Sequence, residues 1–366
     1  MKDAQRLTST QRAVGGIEPS GEALVQLYSW LVLLRTFDER AVALQRQGRI
    51  GTYPTFWGEE ATQAGPMLAL RDEDWVFPSY RQNAIGLLRG LPASVPLAYR
   101  RGYGGSHGFW NARRYRVAPM CVPIATHLPH AVGLAWAAKL SGEGICSLVW
   151  FGDGATSEGD FHEAMNFASV FAAPVIFFCV NNQWAISTPF SRQSGTATVS
   201  EKAAAYAMPA LRIDGFDPLA CWSATREAVN RARAGGGPTL IEAVSYRIGP
   251  HATADDPSLY RDESEAARYR ALEPVGRMAA YLRRGGLLPA EHEAGIRAEA
   301  RAALDQAVAD MESIVQPGAE IMFEHLYATS LRSGQTPNLG DQPPFRWSNA
   351  QVGRSATRAR LDAKPF

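Results

Sequence analysis

The sequence carries little net charge, few cysteines and no long apolar segment. Its 366 residues have a formal net charge of +1, so the basic excess typical of proteins that bind nucleic acid or a membrane surface is missing. The four cysteines are widely spaced without a CxxC motif, which is typical of inert thiols in a reducing compartment. The longest unbroken apolar run, 172–180, has nine residues, far fewer than the roughly 20 that span a bilayer. No signal peptide is evident, and we expect a cytoplasmic protein, or one of the matrix in an organelle.

Two phosphate-binding signatures are also missing. The glycine-rich segment 101–110, which contains Ser106 and His107, lacks the GxxxxGK[ST] spacing of a Walker A loop. No GxGxxG with a downstream acidic residue opens a strand–helix–strand unit, which argues against a nicotinamide-binding Rossmann protein. The composition, 46% hydrophobic and 20% charged, nonetheless allows a large buried core.

The stretch 146–187 is the most informative part of the chain. It reads as a short apolar strand at 146–151, a Gly-Asp-Gly turn, a helix at 158–170 and a second apolar strand at 175–180. Such short apolar runs are typical of strands buried on both faces of a parallel sheet. A crossover helix joins parallel strands, so both strands end at the same edge of the sheet, where ligands of such folds bind. We therefore predict an α/β fold with a mostly parallel central sheet and helices on both faces.

The two turns at that edge carry groups suited to a metal-bound diphosphate. Gly152 and Gly154 allow the backbone to approach a ligand closely, and the N–H groups of Gly154 and Ala155 open the following helix, whose positive end favours phosphate. Asp153 supplies a carboxylate oxygen and Asn182 an amide oxygen, which are ligands that Mg²⁺ accepts. A lone Gly-Asp-Gly is a common turn, but an Asn-Asn pair follows the second strand after twenty-six intervening residues. Both turns then share one edge, and Asp153 is predicted to be a metal ligand.

With this pair of motifs the sequence resembles the thiamine diphosphate (ThDP) enzymes. The segments GDGATSEGDFHEAMNFA and APVIFFCVNNQWAISTP resemble more closely the α subunit of the E1 component of 2-oxo acid dehydrogenase complexes, of the branched-chain or pyruvate type. The resemblance covers residues 24–304. It implies the ThDP-binding fold with an N-terminal helix and a helical, then extended C-terminal tail, and it implies ThDP and Mg²⁺ as cofactors.

The resemblance also implies how the cofactor is held. Mg²⁺ would be bound by Asp153, Asn182 and the backbone carbonyl of Trp184. Tyr80 and Arg81 would reach the diphosphate, and an arginine fork suits phosphate oxygens.

Further contacts carried over from the family concern the cofactor's two ends. The carbonyl of Val122 and the amide of Ile124 would hold the aminopyrimidine ring, and the Ile124 side chain would support the bent form of the cofactor. His251, in the loop after a predicted strand at 239–244, would contact the diphosphate and order the active-site loop, which makes it the predicted catalytic residue. The segment 101–110 would form a wall of the cavity.

The chain departs from the family pattern at two places near the cofactor. Branched-chain relatives bind K⁺ through serine, threonine and glutamine oxygens near Thr126, whereas this chain has Cys121 and His127 there. Sulfur and imidazole are poor ligands for K⁺, so that site is not expected. Val180 replaces an arginine that touches the diphosphate in some branched-chain relatives.

A third departure concerns regulation. Many mitochondrial relatives have phosphorylatable serines in the loop that holds His251, and here Ala252 and Ala254 occupy those positions, with Thr253 between them. We expect no labelling of this loop by the dedicated kinase.

Outside this unit the sequence predicts further helices. Apolar residues at helical spacing predict a helix from Leu24 to a C-cap glycine at Gly48, and a second amphipathic helix after Pro289. Glu59 and Glu60 stand at another helix start, where we interpret them as partners of its macrodipole rather than as a general acid and base. The predicted domain organisation is a mobile arm at 1–20, one ThDP-binding α/β domain at 21–330 and an extended tail at 331–366.

The sequence finally lacks a half that corresponds to the family's β chain, which supplies the glutamate that protonates the cofactor's pyrimidine ring. We expect a chain that is inactive alone and forms an α2β2 heterotetramer with an E1β subunit. The resemblance implies oxidative decarboxylation of a branched-chain 2-oxo acid or pyruvate and transfer of the acyl group to lipoyl groups of an E2 acyltransferase.

Two alternatives remain open. An acetoin dehydrogenase α subunit shares the scaffold, although SEGDFHEAMNF and NNQWAIS resemble that group less. A non-catalytic paralogue could serve as an assembly module, but the retention of Asp153, Asn182 and His251 together argues against it.

Overall fold

A five-stranded parallel sheet forms the centre of the computed structural model, which describes residues 18–103 and 110–316. The strands along the described chain are β1 Trp75–Phe77, β2 Ser147–Gly152, β3 Val175–Asn181, β4 Trp184–Ala185, β5 Thr188–Pro189, β6 Ala210–Asp214 and β7 Thr239–Val244. The sheet order is β1-β2-β3-β7-β6, and each neighbouring pair is parallel. Strands β4 and β5 form a separate antiparallel pair.

The burial of the central strands explains their apolar composition. Every residue of β3 is buried, and in β2 and β7 only the last residue is partly exposed. Strands that are covered on both faces have no polar face, so they read as continuous apolar runs. The predicted strands at 146–151, 175–180 and 239–244 are confirmed to within one residue at each end.

Helices cover both faces of the sheet, as predicted. They are α1 Gly21–Arg46, α2 Ala61–Ala69, α3 Ser94–Arg100, α4 Ala112–Tyr115, α5 His127–Leu140, α6 Gly159–Val170, α7 Phe190–Gln193, α8 Pro218–Arg231, α9 Glu263–Arg270, α10 Pro274–Arg284 and α11 Ala290–Ser313. Successive side chains of a strand point to opposite faces. Accordingly, Leu148 and Trp150 of β2 join a core cluster with α1, α2, α8 and α11, whereas Val149 and Phe151 join a second cluster with α5 and α6.

The two long helices predicted from apolar spacing are present. Ser20 caps α1 by accepting a hydrogen bond from the Ala23 amide at 3.2 Å, and Gly48 follows the helix with a φ of 71°, which favours glycine. Helix α11 begins after Pro289, and its predicted apolar stripe is buried. The buried residues of that stripe are Ile296, Ala300, Leu304, Val308 and Met311.

One prediction at the site is corrected by the fold. The N–H groups of Gly154 and Ala155 were expected to open the crossover helix directly, but they lie in a 3₁₀ turn, Asp153–Ser157. Glu158 follows in an extended conformation, with φ −86° and ψ 146°, and α6 begins only at the next residue. The extended residue interrupts the helical hydrogen bonds, so the turn and the helix are separate elements.

Several sequence predictions concern residues beyond those that the structure describes. The arm 1–20 is described only from residue 18, and the tail 331–366 and the segment holding Ser106 and His107 lie outside the described residues. Among the described helices, none is long and apolar enough to cross a membrane.

The cysteines behave as the sequence predicts. Cys146, Cys179 and Cys221 are buried and Cys121 is half-buried, all of them free thiols. Burial raises the pKa of the Cys146 thiol to about 12, so this sulfur stays protonated and unreactive at neutral pH.

Candidate functional site

A cavity of about 240 Å³ lies where β2 and β3 end. Nine of the eleven residues predicted to bind the cofactor line it, namely Tyr80, Arg81, Ile124, Gly152, Asp153, Gly154, Ala155, Asn182 and Trp184. Val122 and His251 are not among the residues that line this cavity. The parallel register of β2 and β3 brings the two turns together, since Gly152 pairs with Val180. The sequence argument from a shared sheet edge is thereby confirmed.

Asp153 is buried, and one of its carboxylate oxygens accepts no hydrogen bond from the described residues. Its main chain is fixed because its carbonyl accepts hydrogen bonds from Thr156 Oγ1 at 2.8 Å and Gln193 Nε2 at 3.1 Å. Its Oδ2 atom has no hydrogen-bond partner within the described part of the chain. Burial raises the pKa of this carboxyl from 3.8 to about 7, although the positive charge of Arg247 opposes the rise. A buried carboxylate with a free oxygen is a site that a cation would stabilise.

The two asparagines after β3 have different surroundings. Asn181 donates to Glu242 Oε1 at 2.7 Å and accepts from the Gln183 amide at 3.2 Å, so its side chain is used within the fold. Asn182 lines the cavity, and its Nδ2 donates to Glu59 Oε1 at 2.8 Å. Asn182 Oδ1 also accepts from the Trp184 amide at 3.3 Å, so both side chains are used within the fold. Of the pair, however, only Asn182 lines the cavity, and it is therefore the residue that a ligand can reach.

The turn after Asn182 has a constrained backbone. Gln183 and Ile186 both have positive φ angles, 73° and 56°, which are uncommon for residues with a side chain. Arg247 holds this turn by donating to the carbonyl of Trp184 at 3.2 Å and to the carbonyl of Ile186 at 2.6 Å. The predicted carbonyl ligand at Trp184 is thus already fixed by a buried arginine.

The two glycines of the Gly-Asp-Gly turn serve different purposes. A β-carbon at Gly154 would lie 2.9 Å from Cβ of Ala185, so only glycine fits between this turn and the β4 strand. A β-carbon at Gly152 would meet no atom within 4 Å. Since Gly152 lines the cavity, a side chain there would fill the space that a ligand needs.

Arg81 and His251 form one contact pair beside the cavity. Arg81 is buried, donates to the carbonyl of Thr55, and places Nη2 3.3 Å from the carbonyl oxygen and 3.2 Å from Nδ1 of His251. The Tyr80 ring meets the His251 ring edge-on at a centroid distance of 5.8 Å. The sequence predicted these three residues at one place, and the structure brings them together.

The charge state of His251 follows from its neighbours. Burial and the positive charges of Arg81 and Arg247 lower the pKa of His251 from 6.5 to about 4, so the ring is neutral at physiological pH. The loop is anchored from the other side, because the His251 amide donates to Asp255 Oδ2 at 2.7 Å and Tyr260 OH donates to the same oxygen at 2.5 Å.

The segment predicted to hold the aminopyrimidine ring reaches the cavity through Ile124, which lines it. Val122 and Ile124 are exposed, and Ala125 has a positive φ of 66°. Buried His127 donates from Nε2 to the carbonyl of Trp150 at 2.6 Å, and burial lowers its pKa to about 4. The imidazole of His127 is therefore a neutral group tied to β2.

Sequence reasoning missed two residues of the site, Glu59 and Arg247. Glu59 and Glu60 do lie where α2 begins, but both are fully buried and have specific partners instead of serving the helix dipole alone. Glu60 pairs with Arg35 at 2.6 Å, whereas Glu59 faces the cavity and binds Asn182. Arg247 stands three residues after the end of β7, at the same sheet edge, and a charged residue in that position was the available signal.

The donor set fits a small, hard cation with an anionic ligand. Among the described residues no group of three or more His, Cys, Asp or Glu side chains could hold a metal ion by itself. The predicted set instead combines one carboxylate, one amide and one backbone carbonyl, which suits a magnesium ion that is also bound by phosphate oxygens and water. The unpartnered oxygen of Asp153 and the open space at Gly152 agree with this.

Oxygen ligands beside arginine, at the carboxyl edge of a parallel sheet, are what α/β enzymes use to bind a phosphate-bearing cofactor. A comparison with known protein families identifies which group of α/β enzymes the chain belongs to. Residues 28–320 match the family described as "Dehydrogenase E1 component". This match spans most of the chain, and the chain belongs to that family.

Curated relatives agree with the resemblance to E1 α subunits. The chain is 47% identical over 281 residues to the 3-methyl-2-oxobutanoate dehydrogenase subunit alpha of Mycobacterium tuberculosis, covering 76% of each chain. It is 37% identical over 313 residues to the 2-oxoisovalerate dehydrogenase subunit alpha of Bacillus subtilis, covering 83% of this chain and 95% of that one. It is also 37% identical over 310 residues to the pyruvate dehydrogenase E1 component subunit alpha of Staphylococcus aureus, covering 83% of each.

Proposed function

We propose that this chain is the α subunit of the E1 component of a 2-oxo acid dehydrogenase complex and that it binds Mg²⁺ and ThDP at the cavity between β2 and β3. The observation that carries the proposal is that Asp153 and Asn182 share this cavity in a chain of the E1 family. With an E1β subunit it would decarboxylate a 2-oxo acid and transfer the acyl group to lipoyl groups of E2.

The residues divide the binding between them. Asp153 Oδ2, Asn182 Oδ1 and the carbonyl of Trp184 would hold Mg²⁺, and the glycine-rich turn would present its N–H groups to phosphate. Arg81 and His251 would bind the diphosphate from the other side. Arg81 supplies a positive charge and His251 a neutral ring, so affinity for the anion depends mainly on the arginine.

The aminopyrimidine end of the cofactor would lie against the Val122–Ile124 segment. ThDP, when bound, supplies an electron sink for the decarboxylation. The chain's own part is to orient the cofactor: the backbone groups of Val122 and Ile124 would hydrogen-bond the ring, and the Ile124 side chain would support the bent form.

Exposed apolar residues near the site are evidence for a partner subunit. Ile124 and Ile186 line the cavity and are 40% and 57% exposed, and Val122, two residues before Ile124, is 52% exposed. Exposed apolar residues grouped at a binding site are typical of a surface that another chain covers. We propose that E1β covers these residues in an α2β2 heterotetramer and supplies the glutamate that acts on the pyrimidine ring.

The most similar of these relatives supports a choice of substrate class. Identity is 47% to the branched-chain enzyme of M. tuberculosis, and 37% both to the branched-chain enzyme of B. subtilis and to the pyruvate enzyme of S. aureus. We therefore propose a branched-chain 2-oxo acid as the substrate, with pyruvate as the alternative.

The proposal is tested by co-expressing the chain with an E1β subunit. Decarboxylation is measured with Mg²⁺ and ThDP on pyruvate, 3-methyl-2-oxobutanoate and 4-methyl-2-oxopentanoate, for the complex and for the chain alone. We expect turnover of the branched-chain acids by the complex and none by the isolated chain.

Other outcomes separate the alternatives. Bound ThDP without turnover of any 2-oxo acid would favour the acetoin dehydrogenase class. A complex that binds no ThDP would favour a non-catalytic assembly module, and full turnover by the isolated chain would contradict the dependence on E1β.

A further inference from the structure

Glu59 is a buried carboxylate at the site that the proposed cofactor contacts leave unused. Its side chain is fully buried and lines the cavity. Its Oε1 accepts from Asn182 Nδ2 at 2.8 Å, and its Oε2 has no hydrogen-bond partner among the residues that the structure describes. Burying a carboxylate with an unsatisfied oxygen is costly unless it serves a purpose there.

The backbone that carries Glu59 is held on both sides. The Glu59 amide donates to the carbonyl of Phe56 at 2.8 Å, and the Glu59 carbonyl accepts from Thr62 Oγ1 at 2.7 Å. The carbonyl of Thr62 in turn accepts from the Trp150 indole at 2.8 Å, which ties the start of α2 to β2. The backbone position from which the Glu59 side chain extends is therefore fixed relative to the edge of the sheet.

The contact with Asn182 has only one productive orientation. An amide side chain presents a donor nitrogen on one side and an acceptor oxygen on the other. A carboxylate can only accept, so it selects the Asn182 nitrogen and turns the oxygen away. The Asn182 backbone is anchored as well, since its carbonyl accepts from the Arg247 amide at 3.1 Å.

We infer that Glu59 is a positioning residue that fixes the Asn182 amide so that Oδ1, and not Nδ2, faces the Mg²⁺ ion. The inference rests on the proposed function, because it assumes that Asn182 is a metal ligand. The Trp184 amide donates to Asn182 Oδ1 at 3.3 Å and favours the same orientation, so without Glu59 only this longer hydrogen bond keeps the Asn182 N–H groups turned from the cation. Groups that orient a metal ligand from behind typically contribute a factor of about 10–100 to metal affinity.

The test uses the complex with the β chain after it has been freed of metal and cofactor. ThDP is added to saturation, Mg²⁺ is titrated in, and calorimetry measures the binding of Mg²⁺. Glu59→Gln is the first variant, because the introduced amide can pair with Asn182 in either orientation. Glu59→Leu is the second, because it removes the partner and replaces a buried charge with an apolar group. We expect the dissociation constant for Mg²⁺ to rise about 10- to 100-fold in both.

A double-mutant cycle asks whether Glu59 acts through Asn182. In an Asn182→Ala background, Glu59→Gln should change the Mg²⁺ dissociation constant by less than about twofold, since the oriented group is gone. The matched control is Glu60→Gln, which alters the neighbouring buried glutamate. Glu60 pairs with Arg35, so this variant should lower the melting temperature and leave Mg²⁺ affinity unchanged.

Three results would overturn the inference. In the first, Glu59→Gln and Glu59→Leu bind Mg²⁺ as the parent does. In the second, Glu59→Gln weakens binding by the same factor with and without Asn182, which would mean that its charge acts directly on the cation. In the third, the parent complex binds no Mg²⁺ with ThDP, and the proposed function then falls together with the inference.

Discussion

The Nη2 atom of Arg81 lies 3.2 Å from Nδ1 of His251. A guanidinium has donors and no acceptor, so Nδ1 must accept this hydrogen bond and the imidazole proton must be on Nε2. The same guanidinium also contacts the carbonyl oxygens of Thr55 and His251. Arg81 thus sets the tautomer of His251 and ties its loop to the segment before α2.

This relationship predicts that Arg81→Lys weakens ThDP binding without unfolding the protein. A lysine has one charged nitrogen in place of the planar fork, so it cannot keep all three contacts. Each hydrogen bond to a charged group contributes about 1.5–3 kcal/mol, and we expect the ThDP dissociation constant to rise about 10- to 100-fold. Equilibrium binding of ThDP at fixed Mg²⁺ measures this.

Arg89→Lys is the matched control for that variant. Arg89 likewise donates to three backbone carbonyls, those of Asp72, Arg71 and Asp74, but it does not line the cavity. We expect its replacement to lower thermal stability and to leave the ThDP affinity unchanged. An equal loss of affinity in both variants would contradict a specific role for Arg81.

Asp153→Asn should separate binding from stability. The change removes a buried carboxylate whose Oδ2 is unpartnered, so the cofactor-free protein should become more stable by on the order of 2–4 kcal/mol at pH 8. Mg²⁺-dependent ThDP binding should fall at least about 100-fold, since the charged metal ligand is lost. Urea unfolding and calorimetric titration measure the two effects.

The pH dependence of that stability difference has a defined sign. The pKa of Asp153 is about 7 in the folded chain against 3.8 ordinarily, so the folded state binds more protons between these values. Its stability therefore falls as pH rises from about 4 to 7. The advantage of Asp153→Asn should be near zero at pH 4 and reach its plateau above pH 7. A difference that does not change with pH would contradict the buried-carboxylate explanation.

The sequence predicted the parts of the fold whose burial is uniform along the chain. Strands β2, β3 and β7 are covered on both faces, so their apolar runs and the turns after them could be located without coordinates. The same argument placed Asp153 and Asn182 at one sheet edge. The E1 resemblance supplied Arg81 and His251, which spacing alone could not have paired across 170 residues.

Residues whose role depends on distant contacts were not predictable in this way. Arg247 is buried because it satisfies the carbonyls of Trp184 and Ile186, about sixty positions earlier in the chain. Glu59 meets Asn182 across 123 residues, and its position at a helix start offered a simpler explanation. The positive φ of Ile186 is equally invisible in the sequence, because nothing about isoleucine favours it.

His127→Gln should reduce the loss of stability in acid. Burial lowers the pKa of His127 from 6.5 to about 4, so the unfolded chain binds more protons between these values and stability falls as pH drops from about 6.5 to 4. The contribution is roughly 3 kcal/mol at pH 4. A glutamine can still donate to the Trp150 carbonyl but does not titrate. Free energies of unfolding at pH 4.5 and 7.5 should differ less in the variant, and equal pH slopes would contradict the assignment.

Arg35 links three helices through buried charge, and its removal should be strongly destabilising. Its Nε donates to Glu60 Oε1 at 2.6 Å, and its Nη2 donates to Glu273 Oε2 at 3.0 Å. These contacts join α1 to the starts of α2 and α10. Arg35→Met leaves Glu60, which is fully buried, without its counter-charge, and we expect a loss of about 3–5 kcal/mol in the free energy of unfolding.

Adding Glu60→Gln to Arg35→Met should restore most of that stability, because the cost comes from the uncompensated charge and not from the missing arginine. Arg40→Met on the same helix is the control. Arg40 pairs with Asp305 at the surface, with the two side chains 37% and 62% exposed, so its loss should cost at most about 1 kcal/mol. The free energy of unfolding in urea is measured for the parent protein, Arg35→Met, Arg35→Met with Glu60→Gln, and Arg40→Met. If Arg35→Met costs no more than Arg40→Met, the buried network does not hold these helices together.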